Sequence, residues 1–167
     1  MRYYLMVTLM AFSLSVNLAS CSPDDPIGEI GQPVTPNEPD NNNTDNPMSN
    51  NLKISIGEVS FNVELENNAT ATAFKALLPM TIDMSEMNGN EKYYYLPGSL
   101  PTASFCPGTI HSGDLMLYGS SCVVLFYETF SSSYSYTRIG KVDNPSGLSD
   151  AVGTGNVSVT FATQDKE

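Results

Sequence analysis

The sequence of 167 residues predicts a mainly β domain over residues 52–167: an eight-stranded closed barrel with one or two short helices. Apolar side chains there recur mostly at every second position, which is the period of a strand with one buried face. Turn-forming residues separate these runs at short intervals. Eight is the strand number at which a small barrel closes, fills its own interior and leaves no exposed edge. A two-sheet sandwich is the alternative architecture.

The first two strands are predicted from the stretch LKISIGEVSFNVEL, in which a Gly57-Glu58 turn separates two alternating runs. Each run places its apolar side chains on one face, so together they form a hairpin with one buried side. The apolar positions are Leu52, Ile54, Ile56, Val59, Phe61, Val63 and Leu65.

A helix is predicted next, because the apolar residues of ATAFKALL fall on one helical face and Pro79 ends the run. A helix of about ten residues is not stable alone in water, so it must pack on the sheet. The six remaining strands are predicted at Met80–Met84, Tyr93–Leu96, Leu115–Tyr118, Cys122–Glu128, Tyr136–Val142 and Asn156–Ala162. A short helical segment at Leu148–Val152 precedes the last of them.

Residues 1–21 have the pattern of a lipoprotein signal peptide. Arg2 precedes an apolar run that is too short for a stop-transfer helix, and the run ends in Leu18-Ala19-Ser20-Cys21. This end resembles a bacterial lipobox, in which the cysteine receives a diacylglycerol and becomes the new N-terminus. Lipid at Cys21 would anchor the protein to a membrane.

Residues 22–51 are predicted to be a disordered tether. They contain six of the eleven prolines and six acidic residues but no lysine or arginine. The Asp24-Asp25 pair after Cys21 resembles signals that send some Gram-negative lipoproteins to the outer cell surface. We therefore expect a location in the bacterial cell envelope, lipid-anchored to the outer membrane and either periplasmic or surface-exposed.

The charge of the barrel region argues against a nucleic-acid partner. Residues 52–167 contain twelve acidic and six basic residues, and the basic ones form no stripe that could meet phosphates. Few residues could form a catalytic or metal-binding site. His111 is the only histidine, and a single histidine does not indicate a Ser/His/Asp array. A metal site formed by His111 with Asp114 is only a nonspecific possibility. We expect neither a metal site nor a cofactor.

Two cysteines remain after lipidation, Cys106 and Cys122, and an extracytoplasmic location permits a disulfide between them. The alternative is that Cys122 is a small buried hydrophobe in an apolar strand.

Several stretches resemble a cyclophilin-like domain. They are PGTIHSGDLMLYGSSCVVLFYETF, TRIGKVDNPSGLSDAVGTGNVSVTF and, upstream, ATAFKALLPMTIDMSEMNGNEKYYYLP. The resemblance covers most of residues 52–161 and implies an eight-stranded closed barrel. It also raises the question of peptidyl-prolyl isomerase activity, in which a strand arginine stabilises the twisted amide of the transition state.

The matching strand, Lys92–Pro97, has tyrosines where the family's catalytic arginine would be, and no Phe-Met-x-Gln segment follows it. Arg138 lies on a different strand. By resemblance, Tyr136 falls near a cleft histidine of cyclophilins and Phe126 near an aromatic residue of the proline pocket.

We therefore favour a membrane-anchored, noncatalytic binding module for a peptide, protein or small ligand. Its binding surface would be a cyclophilin-type cleft or a tyrosine-rich rim. The candidate rim tyrosines are Tyr93, Tyr94, Tyr95, Tyr118, Tyr127, Tyr134 and Tyr136. The alternative is an isomerase with an atypical site. The candidate cleft residues are Tyr94, Phe126, Tyr136 and Arg138, with Lys92 as an auxiliary cation of the isomerase alternative.

Overall fold

The protein is seen in a computed structural model that describes residues 50–164. The predicted signal peptide, the predicted lipid attachment site Cys21 and most of the predicted tether lie outside the described residues, as do the last three residues. Among the described residues, no helix is both long and apolar enough to cross a membrane.

Ten strands and two short helices make up the described part of the chain. They are β1 (Asn51–Ile56), β2 (Val59–Leu65), α1 (Ala69–Lys75), β3 (Met80–Met87), β4 (Glu91–Tyr95), β5 (Gly108–Ile110), β6 (Asp114–Tyr118), β7 (Cys122–Phe126), β8 (Phe130–Ser132), β9 (Tyr136–Val142), α2 (Leu148–Val152) and β10 (Val157–Thr163).

Eight of these strands close into an antiparallel barrel, which confirms the predicted fold class and excludes the sandwich. The order around the barrel is β1-β10-β3-β4-β7-β6-β9-β2. The first hairpin pairs as its alternation predicts, with Leu52 opposite Val63 and Ile54 opposite Phe61. Because the ring is closed, every barrel strand has two hydrogen-bonded neighbours.

A separate two-stranded sheet, β5 paired with β8, was not predicted from the sequence. Each strand has only three residues, and GTI and FSS are too short to show a period of two. Their pairing depends on two segments about twenty residues apart meeting over the outside of the barrel, which local sequence does not specify.

The barrel interior is filled by the inward side chains of its strands, and helix α1 adds Ala71 and Phe74 to this core. Phe74 of α1 packs edge-on against Phe161 of β10, with ring centroids 5.5 Å apart. Asn68 begins the helix: its side-chain oxygen accepts a hydrogen bond of 2.7 Å from the Ala71 N–H. Its amide nitrogen donates to the Arg138 carbonyl of β9 at 2.9 Å, which fixes the helix to the barrel wall.

A second apolar cluster lies on the outer face of the barrel, around β7. Every residue of β7 is buried; Val123 and Leu125 face the interior core, while Cys122, Val124 and Phe126 belong to the outer cluster. A continuous apolar run such as CVVLF is typical of a strand covered on both faces. The chain thus builds one core inside the barrel and a smaller one on its outside.

Candidate functional site

Strand β4 separates its side chains between the two sides of the barrel wall. Lys92 is completely buried and Tyr94 packs against the interior core, whereas Tyr93 packs against the outer cluster. Tyr93 pairs with Val124 of β7, and Tyr95 pairs with Cys122. Alternation along a strand therefore places Glu91, Tyr93 and Tyr95 on one outer surface.

These outer residues form one wall of a pocket of about 240 Å³. The opposite wall comes from β6, β9 and the segment after β8, and the β3–β4 turn closes one side. The lining residues are Met87, Asn88, Asn90, Glu91, Tyr93, Tyr95, Tyr118, Cys122, Val124, Phe130, Tyr134 and Tyr136. Five of these twelve are tyrosines, and no lysine, arginine or histidine is among them.

The tyrosine rings stand at steep angles to one another. Tyr93 and Tyr95 are 5.8 Å apart with an interplanar angle of 80°, and Tyr118 and Tyr134 are 6.1 Å apart at 88°. Three of the rings are well exposed, with 61% (Tyr95), 44% (Tyr118) and 62% (Tyr134) of their surface open to solvent. Walls of this kind present both ring faces and ring edges to anything that enters.

Packed aromatic rings lie beneath the lining of the pocket. Tyr136 packs edge-on against the fully buried Phe126 at 5.5 Å, and Phe126 also contacts Phe130 at 5.8 Å. Two of the sequence-predicted cleft residues, Phe126 and Tyr136, are therefore in direct contact, but only Tyr136 lines the pocket.

Glu91 is the single acidic residue of the lining. Burial raises the pKa of this carboxyl group, and the nearby charge of Glu86 raises it further. The charge of Glu91 also acts on Tyr136 of β9: the pKa of Tyr136 is raised first by burial and then by this charge. With one carboxylate and no cationic side chain in its lining, the pocket disfavours any further negative charge.

Arg138, the third predicted cleft residue, lies two positions beyond Tyr136 on β9, exposed and outside the pocket lining. Its guanidinium carbon lies 4.7 Å from the ring centroid of Phe105, in a cation–π contact. Phe105 itself is held by paired backbone hydrogen bonds to Tyr136. The arginine therefore covers the segment that borders the pocket and does not enter it.

Tyr94, the fourth predicted residue, is not brought together with the others. It lies on the opposite side of the barrel wall from Tyr93 and Tyr95, and lines a different depression of about 340 Å³ beside Leu96 and Leu100.

Lys92 does not reach the outer pocket either, contrary to the suggestion that it could serve a cleft there. Its ammonium group is enclosed inside the barrel, where it pairs with Glu86 and donates to the carbonyls of Gly153 at 2.8 Å and Gly155 at 2.6 Å. It also lies 5.4 Å from the ring centroid of Tyr127.

No disulfide joins Cys106 and Cys122, so the candidate pairing is absent from the structure. Cys106 Sγ faces the chain before β9, lying 3.7 Å from the Ser133 carbonyl and 3.6 Å from the Ser135 hydroxyl. Cys122 is buried at the start of β7, and burial raises the pKa of its thiol. Their side chains thus occupy different surroundings.

His111 and Asp114 form a turn. The Asp114 carboxylate accepts a hydrogen bond of 2.9 Å from the backbone N–H of His111, while the His111 ring nitrogen is 3.9 Å away. No group of three or more residues suited to hold a metal ion occurs within residues 50–164.

The sequence alone did not single out Glu91 or the β3–β4 turn as parts of the site. The tyrosines were recognised as a set, but the structure divides them: five line the pocket, whereas Tyr94 and Tyr127 do not. The available signal was the parity of β4. Leu96 indicates the inward face, and Tyr94 and Lys92 share its parity.

Comparisons with known proteins agree with this architecture. A model of the cyclophilin-like family matches residues 54–162. The solution structure of a hypothetical protein from Archaeoglobus fulgidus superposes with a TM-score of 0.51 at 19% sequence identity, covering 70% of this chain and 96% of that one. No curated protein matched the chain. The family match spans well over half of the sequence, and the chain belongs to the cyclophilin-like family.

Proposed function

We propose that this protein is a noncatalytic binding module, held at the bacterial cell envelope by an N-terminal lipid, and that its outer-face pocket takes the ligand. The observation that carries this proposal is the composition of the pocket: aromatic walls with no cationic side chain among its lining. Rigid, partly exposed tyrosines supply contact area with polar tips, as recognition surfaces do.

A site that catalyses prolyl isomerisation needs a group that stabilises the twisted amide of the transition state. The amide must twist through a barrier of about 18–20 kcal/mol, and a positioned donor has to favour the twisted state over the planar one. Among residues 50–164 the single arginine rests on Phe105 and Lys92 is enclosed in the barrel. Neither is positioned to act on an amide in the pocket.

An isomerase assay tests the absence of catalysis. The full chain, purified in detergent, is expected to leave the cis–trans exchange rate of a short X-Pro peptide unchanged. Arg138→Ala and Tyr94→Phe serve as variants of the atypical-site alternative. If the parent protein accelerates the exchange and either substitution abolishes that acceleration, the proposal of a noncatalytic binding module is wrong and the protein is an isomerase.

Lipid anchoring is proposed from the signal sequence and from Cys21 at the end of its small-residue motif. A clickable fatty acid fed to expressing cells is expected to label the parent chain and not Cys21→Ala. Cys122→Ala is the matched control and should retain the label. Protease treatment of whole cells then distinguishes a surface-exposed domain, which is cleaved, from a periplasmic one, which is protected.

A further inference from the structure

The outer pocket combines aromatic walls with one carboxylate and no resident cation. From this combination we propose that it binds a substituted ammonium group, carried either by a small alkylammonium compound or by a lysine side chain. The inference rests on the proposed function, because it names the ligand chemistry of that same pocket.

The ring arrangement suits a cation. The negative face of an aromatic ring attracts a positive charge that lies within about 6 Å of its centroid. In this pocket the rings come in nearly perpendicular pairs, Tyr93 with Tyr95 and Tyr118 with Tyr134. A compact group that enters between such pairs can meet more than one ring face, and the space of about 240 Å³ is large enough for a trimethylammonium head.

Charge complementarity selects a cation over a neutral or anionic group. Glu91 is partly desolvated in the lining, where burial and then the charge of Glu86 raise its pKa, and no cationic side chain lines the pocket beside it. A neutral apolar ligand would bury the carboxylate further without pairing it. An anion would be repelled by it, whereas an ammonium group would offset its charge.

The molecule's own cations near this wall are already engaged elsewhere. Lys92 is held by Glu86 and two backbone carbonyls inside the barrel, and Arg138 stacks on Phe105. Neither can neutralise Glu91 from the pocket side. The formal net charge of −11 for the whole chain also favours the approach of a positive ligand.

The pH dependence of such binding follows from Glu91. Four titratable groups interact electrostatically with this carboxylate: Glu86, Cys122, Tyr127 and Tyr136. The pKa of Glu91 is raised, so its charge is lost at a higher pH than for an ordinary glutamate. Ammonium binding should weaken as the pH falls through that raised pKa.

Calorimetric titration of the full chain in detergent tests the proposal with two matched pairs of probes. Choline is compared with 3,3-dimethylbutan-1-ol, its neutral isostere. Nα-acetyl-lysine amide, whose side-chain ammonium group is free, is compared with the neutral Nα-acetyl-norleucine amide. We expect the charged member of at least one pair to bind at least about tenfold more tightly than its neutral partner. The pair that shows the difference identifies the source of the ammonium group.

Variants locate the site. Glu91→Gln and Tyr134→Leu are each expected to weaken binding of the preferred cation by about tenfold. Glu58→Gln removes an exposed acidic residue outside the pocket and should leave the affinity unchanged. Tyr94→Phe alters a tyrosine of the same strand outside the pocket, and should also be neutral.

Equal binding of the charged and neutral probes would overturn the ammonium proposal while leaving the pocket as a binding site. Absence of binding by all four probes would overturn it as well, and so would a loss of affinity in Glu58→Gln as large as that in Glu91→Gln. Failure of the proposed function itself is seen separately, as acceleration in the isomerase assay.

Discussion

Each face of strand β4 has one charged group near tyrosine rings, but only the charge on the inner face is paired. On the inner face, the Lys92 ammonium is fully buried and has Glu86, two backbone carbonyls and the ring of Tyr127 around it. On the outer face, Glu91 lies among tyrosines with no cation in the lining of the pocket. The inner charge is compensated within the fold, whereas no cationic side chain accompanies the outer one in the lining of the pocket.

From this difference we expect structural and functional roles to be separated on a single strand of five residues. A buried charge is tolerated only when it is paired and hydrogen-bonded, so the inner face is committed to stability. The outer face keeps exposed rings and a desolvated carboxylate, which add little to stability and are suited to recognition. Substitutions on the inner face should therefore affect folding, and those on the outer face should affect binding.

The largest effect is expected from Lys92→Met, which keeps the length of the side chain and removes its charge. The change leaves Glu86 and the carbonyls of Gly153 and Gly155 without their donor. We expect it to lower the free energy of unfolding by about 3 kcal/mol, the low end for breaking a buried ion pair, because Glu86 is partly exposed. Urea unfolding followed by circular dichroism measures the change.

Lys53→Met is the matched control, since Lys53 is exposed on β1 and its loss should cost less than about 0.5 kcal/mol. The pH profile gives a second check. Burial acts to raise the pKa of Glu86, but hydrogen bonds from Lys92, Tyr127 and the Gly89 N–H outweigh it and leave the pKa lowered. The parent should lose this stabilisation as the pH falls below 4.5, and Lys92→Met should lose less. Equal costs for the two lysine variants would contradict the inner-face role.

Two adjacent tyrosines provide the next comparison. Tyr94→Ala removes a ring that packs against the interior core and is expected to cost about 2 kcal/mol of unfolding free energy, less than for a fully buried ring. Tyr95→Ala removes a ring that is mostly exposed, and should change stability by less than about 0.5 kcal/mol. Binding of the preferred probe should follow the reverse order, weakened by Tyr95→Ala only. A larger loss of stability in Tyr95→Ala than in Tyr94→Ala would contradict the placement of Tyr94 on the inner face and Tyr95 on the outer face.

Tyr127→Phe tests the inner face of β4 at high pH. The Tyr127 hydroxyl donates to Glu86 at 2.8 Å, so its removal should cost about 1.5 kcal/mol at neutral pH. Burial, followed by the hydrogen bond to Glu86, raises the pKa of Tyr127 from 10.0 to about 12. Between these values the unfolded chain loses the phenol proton while the folded chain keeps it, so stability falls as the pH rises.

In Tyr127→Phe this contribution disappears, and the alkaline loss of stability should be shallower than in the parent. Tyr134→Phe, at an exposed position, is the control for neutral pH and should be nearly silent. An unchanged alkaline slope in Tyr127→Phe would show that the hydroxyl does not belong to the inner network.

The smallest effect is expected from Glu91→Gln, and its sign is opposite. Because the folded-state pKa of Glu91 is raised, folding favours its protonated form, and the charged carboxylate costs stability at neutral pH. The glutamine variant should therefore be more stable than the parent at pH 7, by less than about 1 kcal/mol. The gain should shrink as the pH falls through the raised pKa. A destabilised variant would mean that Glu91 has a partner within the fold.

Much of the barrel follows from local patterns. LKISI and FNVEL alternate clearly enough to specify the first hairpin, and CVVLF indicates a strand covered on both faces. The short strands β5 and β8 cannot be predicted from the hydrophobic period because each has only three residues. Of the four residues predicted to line one cleft, Phe126 and Tyr136 are in contact, whereas Tyr94 and Arg138 lie outside the lining of the pocket.

Hydrophobic period and turn chemistry are local properties that each segment carries alone, and they are sufficient to predict the eight barrel strands and the class of the fold. Strand pairing and closure of the barrel determine which tyrosines share a pocket and which groups surround Lys92 and Glu91, because these neighbours come from segments that are distant in the chain. Leu96 marks the inward parity of β4, but the segment KYYYL has little apolar contrast of its own, and the groups that surround each side chain are supplied by the neighbouring strands. Glu86 lies directly opposite Lys92 on β3, and that pairing exists only once the strands have met.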